Sequence, residues 1–297
     1  MINGFFTNIG IAFLKLIARL PFGVLYALSD FMFLVVFYLV GYRRKVVLRN
    51  LKNSFPEKND AEINQIARKF FRHFCDLTLE TIKLYAIKEK EIHRRMKAEN
   101  AEVINSFTGN GKSVIVLTMH YNNWEWAVSI AQVLSGTTLA VYKPLHNEVF
   151  DLYMNKNRSR FGARLIKNNQ ILRQVLASEN DKNPAIIWLA GDQTPPVFHD
   201  AWFIFLNQEA MFYPGPAYIA KKFNTPVIFQ TIRKTSRGHY CSSFELLIEN
   251  PATLSETEII KTYIKKMEKE IEANPEYYLW SHKRWKHNRG ANTPLNI

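Results

Sequence analysis

The sequence predicts an α/β fold in which helices flank a mixed central sheet, preceded by an apolar helical segment that associates with a membrane. Short apolar runs rich in β-branched residues alternate with amphipathic helical patterns along most of the chain. Residues 1–42 are far more apolar than the rest. With 297 residues, 47% of them hydrophobic, the chain is long and apolar enough to bury a sizeable core.

The N-terminal segment has the length and composition of a membrane anchor. Residues 20–42 carry a single charge, Asp30, in a run long enough to cross a bilayer. Pro21 breaks any continuous helix from the earlier apolar stretch at residues 5–18, so a hairpin lying in one leaflet fits nearly as well as a full span. A buried core helix is the remaining alternative. We expect an anchoring segment at residues 1–42 and an α/β domain at residues 43–297.

The distribution of charge points to an anionic partner on one side of a membrane. Lys and Arg number 39 against 26 Asp and Glu, a formal charge of +13. This excess favours nucleic acid, an anionic membrane or a phosphorylated substrate, without choosing among them. Basic residues are denser after the apolar run, from Arg43 to Lys52, which places the body of the protein in the cytoplasm. Cys75 and Cys241 form no CxxC motif and imply neither a disulfide framework nor a Cys-based zinc site.

The remainder of the chain reads as alternating helices and strands. Amphipathic or capped patterns predict helices at residues 60–85, 149–160, 169–178, 215–223 and 255–273, and the charged residues 88–105 predict a solvated helix with a turn. Apolar runs predict strands that begin at Val114 and occupy residues 138–142, 185–189, 226–232 and 240–248.

The first of these strands leads into the candidate chemical centre. The sequence VIVLTMHYNNWEWA (residues 114–127) places His120 at the strand end and Glu125 five positions later. Five residues of ideal helix separate two side chains by roughly 140°, so the two residues meet only if a turn intervenes. Asn122 and Asn123 favour such a turn as helix N-caps. Glu125 would then orient the imidazole as a base, although a core His beside a surface Glu is the commoner outcome of this spacing.

Two further segments could contribute to the same cleft. Asp192 and Gln193 follow the strand at residues 185–189, although Asp is also a common turn former. Lys143, Asn147 and Arg158 supply mostly cationic groups, and a solvated basic face is an equally good reading of them. No third ligand at a recognisable spacing supports a metal site.

Six sequence blocks resemble those of the bacterial lipid A late acyltransferases, within the lysophospholipid and glycerolipid acyltransferase superfamily. They occur in the family's order over nearly the whole chain, after an apolar N-terminus. The blocks are YRRKVVLRNLKNSFPEK at residues 42–58, HYNNWE at 120–125, VYKPLHN at 141–147, NRSRFGARLI at 157–166, GDQTPP at 191–196 and PEYYLWSHKRWK at 275–286. Lys143 stands where the family usually has arginine, which keeps the charge and loses bidentate geometry.

The resemblance implies an inner-membrane enzyme with its catalytic domain on the cytoplasmic side. It would move an acyl chain from a thioester, on acyl carrier protein or coenzyme A, to a hydroxyl of a lipid A precursor or related anionic glycolipid. His120 would act as general base and Glu125 would orient it, with no cofactor, metal or covalent acyl-enzyme. The resemblance also implies five substrate-binding residues, which are Lys143, Asn147, Arg158, Asp192 and Gln193.

Two alternatives remain open at the level of sequence. The acceptor could be a lysophospholipid or an amino-acid lipid with the same chemistry. The basic surface could instead belong to a non-catalytic protein that binds an anionic membrane or nucleic acid. The apolar N-terminus and the paired His120 and Glu125 argue against nucleic acid as a partner.

Overall fold

The computed structural model describes residues 2–180, 184–195 and 200–296, so Met1, Pro196 and Ile297 of the segments named above lie outside it. The described α-helices are α1 (Ile2–Arg19), α2 (Phe22–Leu34), α3 (Arg44–Ser54), α4 (Asp60–Lys83), α5 (Glu89–Arg95), α6 (Glu102–Gly109), α7 (Trp124–Ala127), α8 (Glu148–Arg158), α9 (Ile171–Asn180), α10 (Gly215–Phe223) and α11 (Glu256–Ala273). The described strands are β1 (Met96–Glu99), β2 (Val114–Thr118), β3 (Thr137–Tyr142), β4 (Arg164–Lys167), β5 (Ala185–Ala190), β6 (Trp202–Phe205), β7 (Gln208–Met211), β8 (Val227–Ser236), β9 (His239–Ile248) and β10 (Leu295–Asn296).

Seven strands form one mixed sheet in the order β1-β9-β8-β2-β5-β3-β4. Neighbouring strands run parallel except β8 and β9, which are antiparallel. The chain passes from β2 through β3 and β4 before β5 returns to pair with β2, so two strands distant in sequence become central neighbours. A smaller sheet has the order β10-β6-β7. This architecture confirms the predicted mixed α/β sheet.

Both faces of the central sheet are buried. On β2, Val114 and Val116 belong to one apolar cluster, whereas Ile115 and Leu117 belong to the other. Successive side chains of a strand point to opposite faces, so the continuous apolar run of β2 is what a strand covered on both sides requires. Helices α4 and α11 pack on one face, and the segment around Trp126 packs on the other. The result is a rigid central strand whose end carries the candidate site.

The apolar N-terminus forms two helices that lie against the body of the protein. The stretch Phe22–Val40, α2 and the π-helical turn after it, has a mean hydropathy of 2.0, is 22% buried, and is long and apolar enough to cross a membrane by length and composition. The polar side of α2 faces α4, where Ser29 donates a 2.7 Å hydrogen bond to Asp76 and Tyr26 donates one of 2.8 Å to Glu80. The exposed apolar side chains of these helices include Phe6, Ile9, Phe13, Leu16, Val24, Phe31, Leu34, Leu39 and Val40.

Several elements differ from the sequence prediction in instructive ways. Residues 88–105, predicted as a solvated helix with a turn, contain the edge strand β1, in which Met96 is buried and Lys97 and Glu99 are exposed. Edge strands are short and charged, so their composition resembles that of a solvated helix. The other edge strand, β4, and the small sheet were not predicted from sequence. Helix α10 has the predicted bounds, and Ser255 and Glu258 form the predicted capping box of α11.

Candidate active site

His120 and Asp192 leave neighbouring strands at matching positions. Strands β2 and β5 pair in parallel, with Thr118 aligned to Ala190. Each of the two polar residues comes two positions after its strand ends, so both lie at the same edge of the sheet. A 3.3 Å hydrogen bond from the backbone N–H of Gly191 to the carbonyl of Thr118 continues the ladder beyond the strands. The register therefore brings together two residues that are 72 positions apart in sequence.

The imidazole of His120 contacts the carboxylate of Asp192 directly. Nδ1 lies 2.7 Å from Oδ1, and the His120 side chain is 21% exposed while that of Asp192 is buried. Burial is the largest influence and lowers the pKa of His120, but the charge and hydrogen bond of Asp192 and the charge of Glu125 outweigh it and raise that pKa above 6.5. Burial likewise raises the pKa of Asp192, yet His120 holds it below the ordinary value. An anionic Asp192 accepting Nδ1–H leaves Nε2 as the basic nitrogen.

The two asparagines of the HYNNWE block form the turn between His120 and Glu125. Asn122 has φ 51°, in the left-handed region that Asn tolerates better than most residues. The Asn123 side chain accepts a 2.9 Å hydrogen bond from the backbone N–H of Trp126 and thereby caps α7. Glu125 lies in the first turn of that helix. The turn and the cap agree with the sequence prediction.

Glu125 is engaged by Arg158 through both carboxylate oxygens. Arg158 Nε donates to Oε2 at 2.8 Å and Nη2 donates to Oε1 at 2.6 Å. Burial raises the pKa of Glu125, but the charge and hydrogen bonds of Arg158 outweigh it and bring that pKa below its ordinary value. The guanidinium nitrogen Nη1 takes no part in this bidentate pair. The pair thus holds the Arg158 guanidinium in place through Nε and Nη2, and Nη1 remains for a ligand.

The structure corrects the expected partner of His120. The sequence predicts Glu125 as the carboxylate that holds the imidazole, whereas in the structure the hydrogen bond of Nδ1 is accepted by Asp192. The reason is topological: the β2–β5 register aligns Asp192 with His120, and the turn before α7 directs Glu125 towards Arg158. Among the described residues no hydrogen bond joins Glu125 to His120, and the charge of Glu125 helps to raise the pKa of His120.

The other predicted binding residues lie at the rim or elsewhere. Lys143 is exposed just after β3, and Gln193 is half-buried next to Asp192; within the described part of the chain, no hydrogen bond joins either to His120. Asn147 caps α8 by accepting a 3.1 Å hydrogen bond from the backbone N–H of Phe150, and it donates one of 2.8 Å to Thr7 of α1. Asn147 therefore stabilises the start of α8 and its contact with α1. Its role in substrate binding remains a prediction.

Several residues that support the site were not predicted from sequence. Glu80 is buried in α4 and accepts hydrogen bonds from Asn123, Tyr26 and Tyr240, at 2.7, 2.8 and 2.7 Å. It therefore fixes the turn that carries His120. The amphipathic pattern of α4 gives no sign of this role, because Glu80 reads there as an ordinary charged helix position.

The C-terminal tail also holds the loop that carries His120. The backbone N–H of Leu279 donates to the His120 carbonyl at 3.1 Å, and Asn122 N–H donates to the Tyr277 carbonyl at 3.0 Å. The tail is held in turn by α3, where Asn50 Nδ2 donates to two of its carbonyls. The sequence blocks at residues 42–58 and 275–286 thus contact each other and hold the His120 loop.

Chemically, the site combines an oriented imidazole with a cationic group. An imidazole held by a buried carboxylate can abstract a proton from a hydroxyl. A guanidinium with one nitrogen outside its ion pair can bind an anion or a developing oxyanion. In the part of the chain that the structure describes, no group of three His, Cys, Asp or Glu residues is placed to hold a metal ion.

Comparisons with known proteins identify a family and several similar chains. The model of the family described as bacterial lipid A biosynthesis acyltransferase matches residues 1–287. The lipid A biosynthesis lauroyltransferase of Escherichia coli K12 is 22% identical over 94% of this chain and 91% of its own length. The myristoyltransferase of the same organism is 29% identical over 46% of this chain and 42% of its own. The crystal structure of the 1-acyl-sn-glycerophosphate acyltransferase PlsC from Thermotoga maritima aligns over 83% of this chain and 92% of that one, with a TM-score of 0.37 and 13% identity.

Proposed function

The chain belongs to the bacterial lipid A biosynthesis acyltransferase family, and from that premise we propose that it transfers a fatty acyl chain from an acyl thioester to a hydroxyl of a lipid A precursor or related anionic glycolipid. The donor we propose is acyl carrier protein, with coenzyme A as the alternative carrier. Residues 43–297 form the catalytic domain in this proposal, and residues 1–42 form its membrane anchor.

His120 is the general base of the proposed reaction. Its Nε2 takes the proton of the acceptor hydroxyl while the hydroxyl oxygen bonds to the thioester carbonyl carbon. The tetrahedral intermediate then collapses, the C–S bond breaks, and the imidazolium returns the proton to the departing thiolate. The products are an ester and a free thiol, and no acyl-enzyme forms.

Asp192 is the orienting carboxylate in this proposal, and it replaces Glu125 in that role. The 2.7 Å contact between Nδ1 and Oδ1 supports the assignment, because it fixes the tautomer that presents Nε2 as a base. Such a carboxylate also stabilises the imidazolium that forms during the reaction.

In this proposal, Glu125 holds Arg158 so that the guanidinium binds negatively charged oxygens of the substrates. The bidentate pair holds the guanidinium plane fixed, so Nη1 meets the thioester oxyanion or an acceptor phosphate without reorganisation. Lys143, exposed after β3 at the same sheet edge, adds positive charge at the rim for the anionic acceptor, and Gln193 adds a polar group beside Asp192.

The anchor is monotopic in this proposal. The polar side of α2 is committed to α4 by Ser29 and Tyr26, and Arg237 donates to Asp30 at 2.9 and 3.0 Å. A helix that crossed the bilayer away from the body would lose these contacts. The exposed apolar faces of α1 and α2 therefore enter one leaflet, and the catalytic domain lies on the cytoplasmic side of the inner membrane.

The His120–Asp192 contact at the aligned ends of β2 and β5 is the observation that carries this function. In membranes or detergent, His120→Ala should lower acyl transfer to a lipid A precursor by roughly 10²- to 10⁴-fold, measured by mass spectrometry of the product. His239→Ala, which changes a histidine of β9, is the matched control and should retain activity. Wild-type product formation by His120→Ala would refute the assignment of the base.

The same assay separates the remaining substrate alternatives. Acyl carrier protein and coenzyme A thioesters of one chain length are compared as donors. A lysophospholipid and an amino-acid lipid are compared with the lipid A precursor as acceptors. Faster transfer to either of those lipids would reassign the acceptor while keeping the chemistry.

A further inference from the structure

Helix α2 is joined to the turn at residues 120–125 through one buried carboxylate. Glu80 of α4 is 2% exposed, and its Oε1 accepts a 2.8 Å hydrogen bond from the hydroxyl of Tyr26 on α2. Its Oε2 accepts hydrogen bonds of 2.7 Å from the side-chain amide of Asn123 in the turn and from the hydroxyl of Tyr240 on β9. The apolar N-terminal helix, the turn and the central sheet therefore share a single acceptor group.

Glu80 holds helix α7 at two points. The Asn123 side chain, which Glu80 binds through Nδ2, caps α7 through Oδ1. The backbone carbonyl of Glu80 also accepts a 2.8 Å hydrogen bond from the indole Nε1 of Trp126. Glu125 lies between these two points of contact, and His120 lies three positions before the cap. A shift of Glu80 would therefore move both residues.

Helix α2 packs on the same group with its aromatic side chains. The rings of Phe22 and Trp126 meet edge to face with centroids 6.1 Å apart, and the ring of Phe22 stacks on that of Tyr26 at 6.0 Å. The Tyr26 side chain is half-buried. The packing that places the Tyr26 hydroxyl at Glu80 thus also contacts α7.

The Tyr26 hydroxyl is the donor described for Oε1 of Glu80. Without it, one oxygen of a buried carboxylate has lost its partner, which costs more than the bond itself contributes. A carboxylate that turns to recover a donor either moves the Asn123 amide that it binds or loses that bond. Because proton transfer requires the reacting atoms within hydrogen-bond reach, a small displacement of the turn lowers the rate.

We propose that Tyr26 is a positioning residue, whose hydroxyl holds the turn at residues 120–125 in place through Glu80. Helix α2 then has two functions, because its outer face enters the membrane and its inner face supports the reaction centre. The inference rests on the proposed roles of His120 and Glu125. It predicts that the loss of one hydroxyl on α2 slows acyl transfer without weakening substrate binding.

The first test compares two hydrogen bonds between α2 and α4. Tyr26→Phe removes only the hydroxyl that donates to Glu80. Ser29→Ala removes the 2.7 Å hydrogen bond to Asp76, whose described hydrogen bonds join no residue of the turn, and it is the matched control.

Activity is measured in membranes or detergent, with an acyl carrier protein thioester as donor and a lipid A precursor as acceptor. Tyr26→Phe should lower kcat by roughly 3- to 10-fold and leave KM little changed. Ser29→Ala should keep the wild-type kcat, although thermal unfolding should show a similar loss of stability in both variants.

Substitutions of Glu80 test whether the hydroxyl acts through this carboxylate. Glu80→Gln keeps an acceptor oxygen on one side and provides an amide N–H for the Tyr26 hydroxyl on the other, so kcat should stay near that of the wild type. Glu80→Leu removes both acceptors and should lower kcat by more than Tyr26→Phe does. Combining Glu80→Leu with Tyr26→Phe should add no further loss, and two fully independent losses would count against the inference. If Glu80→Leu does not fold, the comparison of Tyr26→Phe with Ser29→Ala still decides.

A second readout does not depend on catalysis. Hydrogen exchange of the backbone amides at residues 120–127, followed by mass spectrometry, should be faster in Tyr26→Phe than in the wild type and in Ser29→Ala. Wild-type kcat and exchange in Tyr26→Phe, or the same loss of kcat in Ser29→Ala, would overturn the inference and leave Tyr26 a residue of the anchor alone. If exchange increases in Tyr26→Phe while His120→Ala keeps its activity, the turn depends on Tyr26 and the proposed role of His120 fails.

Discussion

At the scale of single residues, the proposed reaction depends on the pKa of the His120 imidazole. Burial alone would make the imidazole a weak base, whereas contact with Asp192 strengthens it. Glu125 adds negative charge from beside the ring, and Arg158 opposes it. The raised pKa of His120 is thus the balance of burial, the charge and hydrogen bond of Asp192, and the charges of Glu125 and Arg158.

This balance sets the pH dependence of the reaction. Because Asp192 and Glu125 raise the pKa of His120 above its ordinary value, protonation of the imidazole removes the free base as the pH falls. We expect kcat/KM to rise with pH through an acid limb whose midpoint lies above 6.5, measured with saturating donor in buffers of constant ionic strength. In Asp192→Asn, the loss of the carboxylate should move that midpoint to lower pH. A midpoint clearly below 6.5 in the wild type would contradict the assignment of the base.

At the scale of secondary structure, the site is assembled by elements from both ends of the chain. Strands β2 and β5 supply the pair, and the C-terminal tail holds the loop after β2. Helix α3 holds the tail, because Asn50 Nδ2 donates to the carbonyls of Trp280 and His282 at 2.9 and 3.0 Å and Arg43 donates to that of Ser281 at 2.8 Å. The sequence block at residues 42–58 therefore helps to hold the His120 loop in place through the tail.

Asn50 offers a direct test of this support. Asn50→Leu leaves the buried carbonyl of Trp280 and the partly buried carbonyl of His282 without their donor, so it should destabilise the fold by about 1–3 kcal/mol and lower kcat through movement of the His120 loop. Thermal unfolding and steady-state kinetics measure the two effects. Asn53→Leu, one turn further along α3 with an exposed hydrogen bond to Gln208, is the matched control. Equal behaviour of the two variants would show that the tail contacts do not support the site.

The sequence patterns predicted local structure better than long-range contacts. The bounds of α10, the capping box of α11 and the turn at Asn122 and Asn123 follow from nearby residues, and all were predicted. The pairing of Asp192 with His120 depends on β5 returning beside β2 after two other strands, which no local pattern encodes. The burial of Arg284, which is 2% exposed in the C-terminal tail, was also not predicted, because it lies in a basic stretch where exposure is the ordinary expectation.

At the scale of the whole molecule, the N-terminal helices present exposed apolar side chains, and the His120–Asp192 pair lies at one edge of the sheet. Helices α1 and α2 pack on the body through buried residues such as Ile11, Ala18 and Leu25, while their outer faces remain apolar. Asn147 links the start of α8 to α1 through Thr7. The segment that bears Arg158 is therefore tied to the helices with exposed apolar faces, which suits the lipid acceptor that we propose.

Cysteine labelling tests whether the anchor crosses the membrane. The native Cys75 and Cys241 are buried, so introduced cysteines at the exposed Arg19 and Asn110 dominate the reaction with an impermeant maleimide. If the α1–α2 pair lies in one leaflet, as we propose, both positions should react in inside-out vesicles and neither in intact spheroplasts. Labelling of Arg19→Cys from the outer side would establish a spanning helix instead.

The measurement that tests the central claim most directly is the single-turnover rate of ester formation by Asp192→Asn, compared with Glu125→Gln and the wild type. If Asp192 holds the general base, Asp192→Asn should slow this step by roughly 10²- to 10⁴-fold at the optimum pH while the protein stays folded. Glu125→Gln should act mainly through substrate affinity and stability, since its carboxylate serves Arg158. An Asp192→Asn rate close to that of the wild type, with a large loss in Glu125→Gln, would contradict the account and restore Glu125 as the partner of His120.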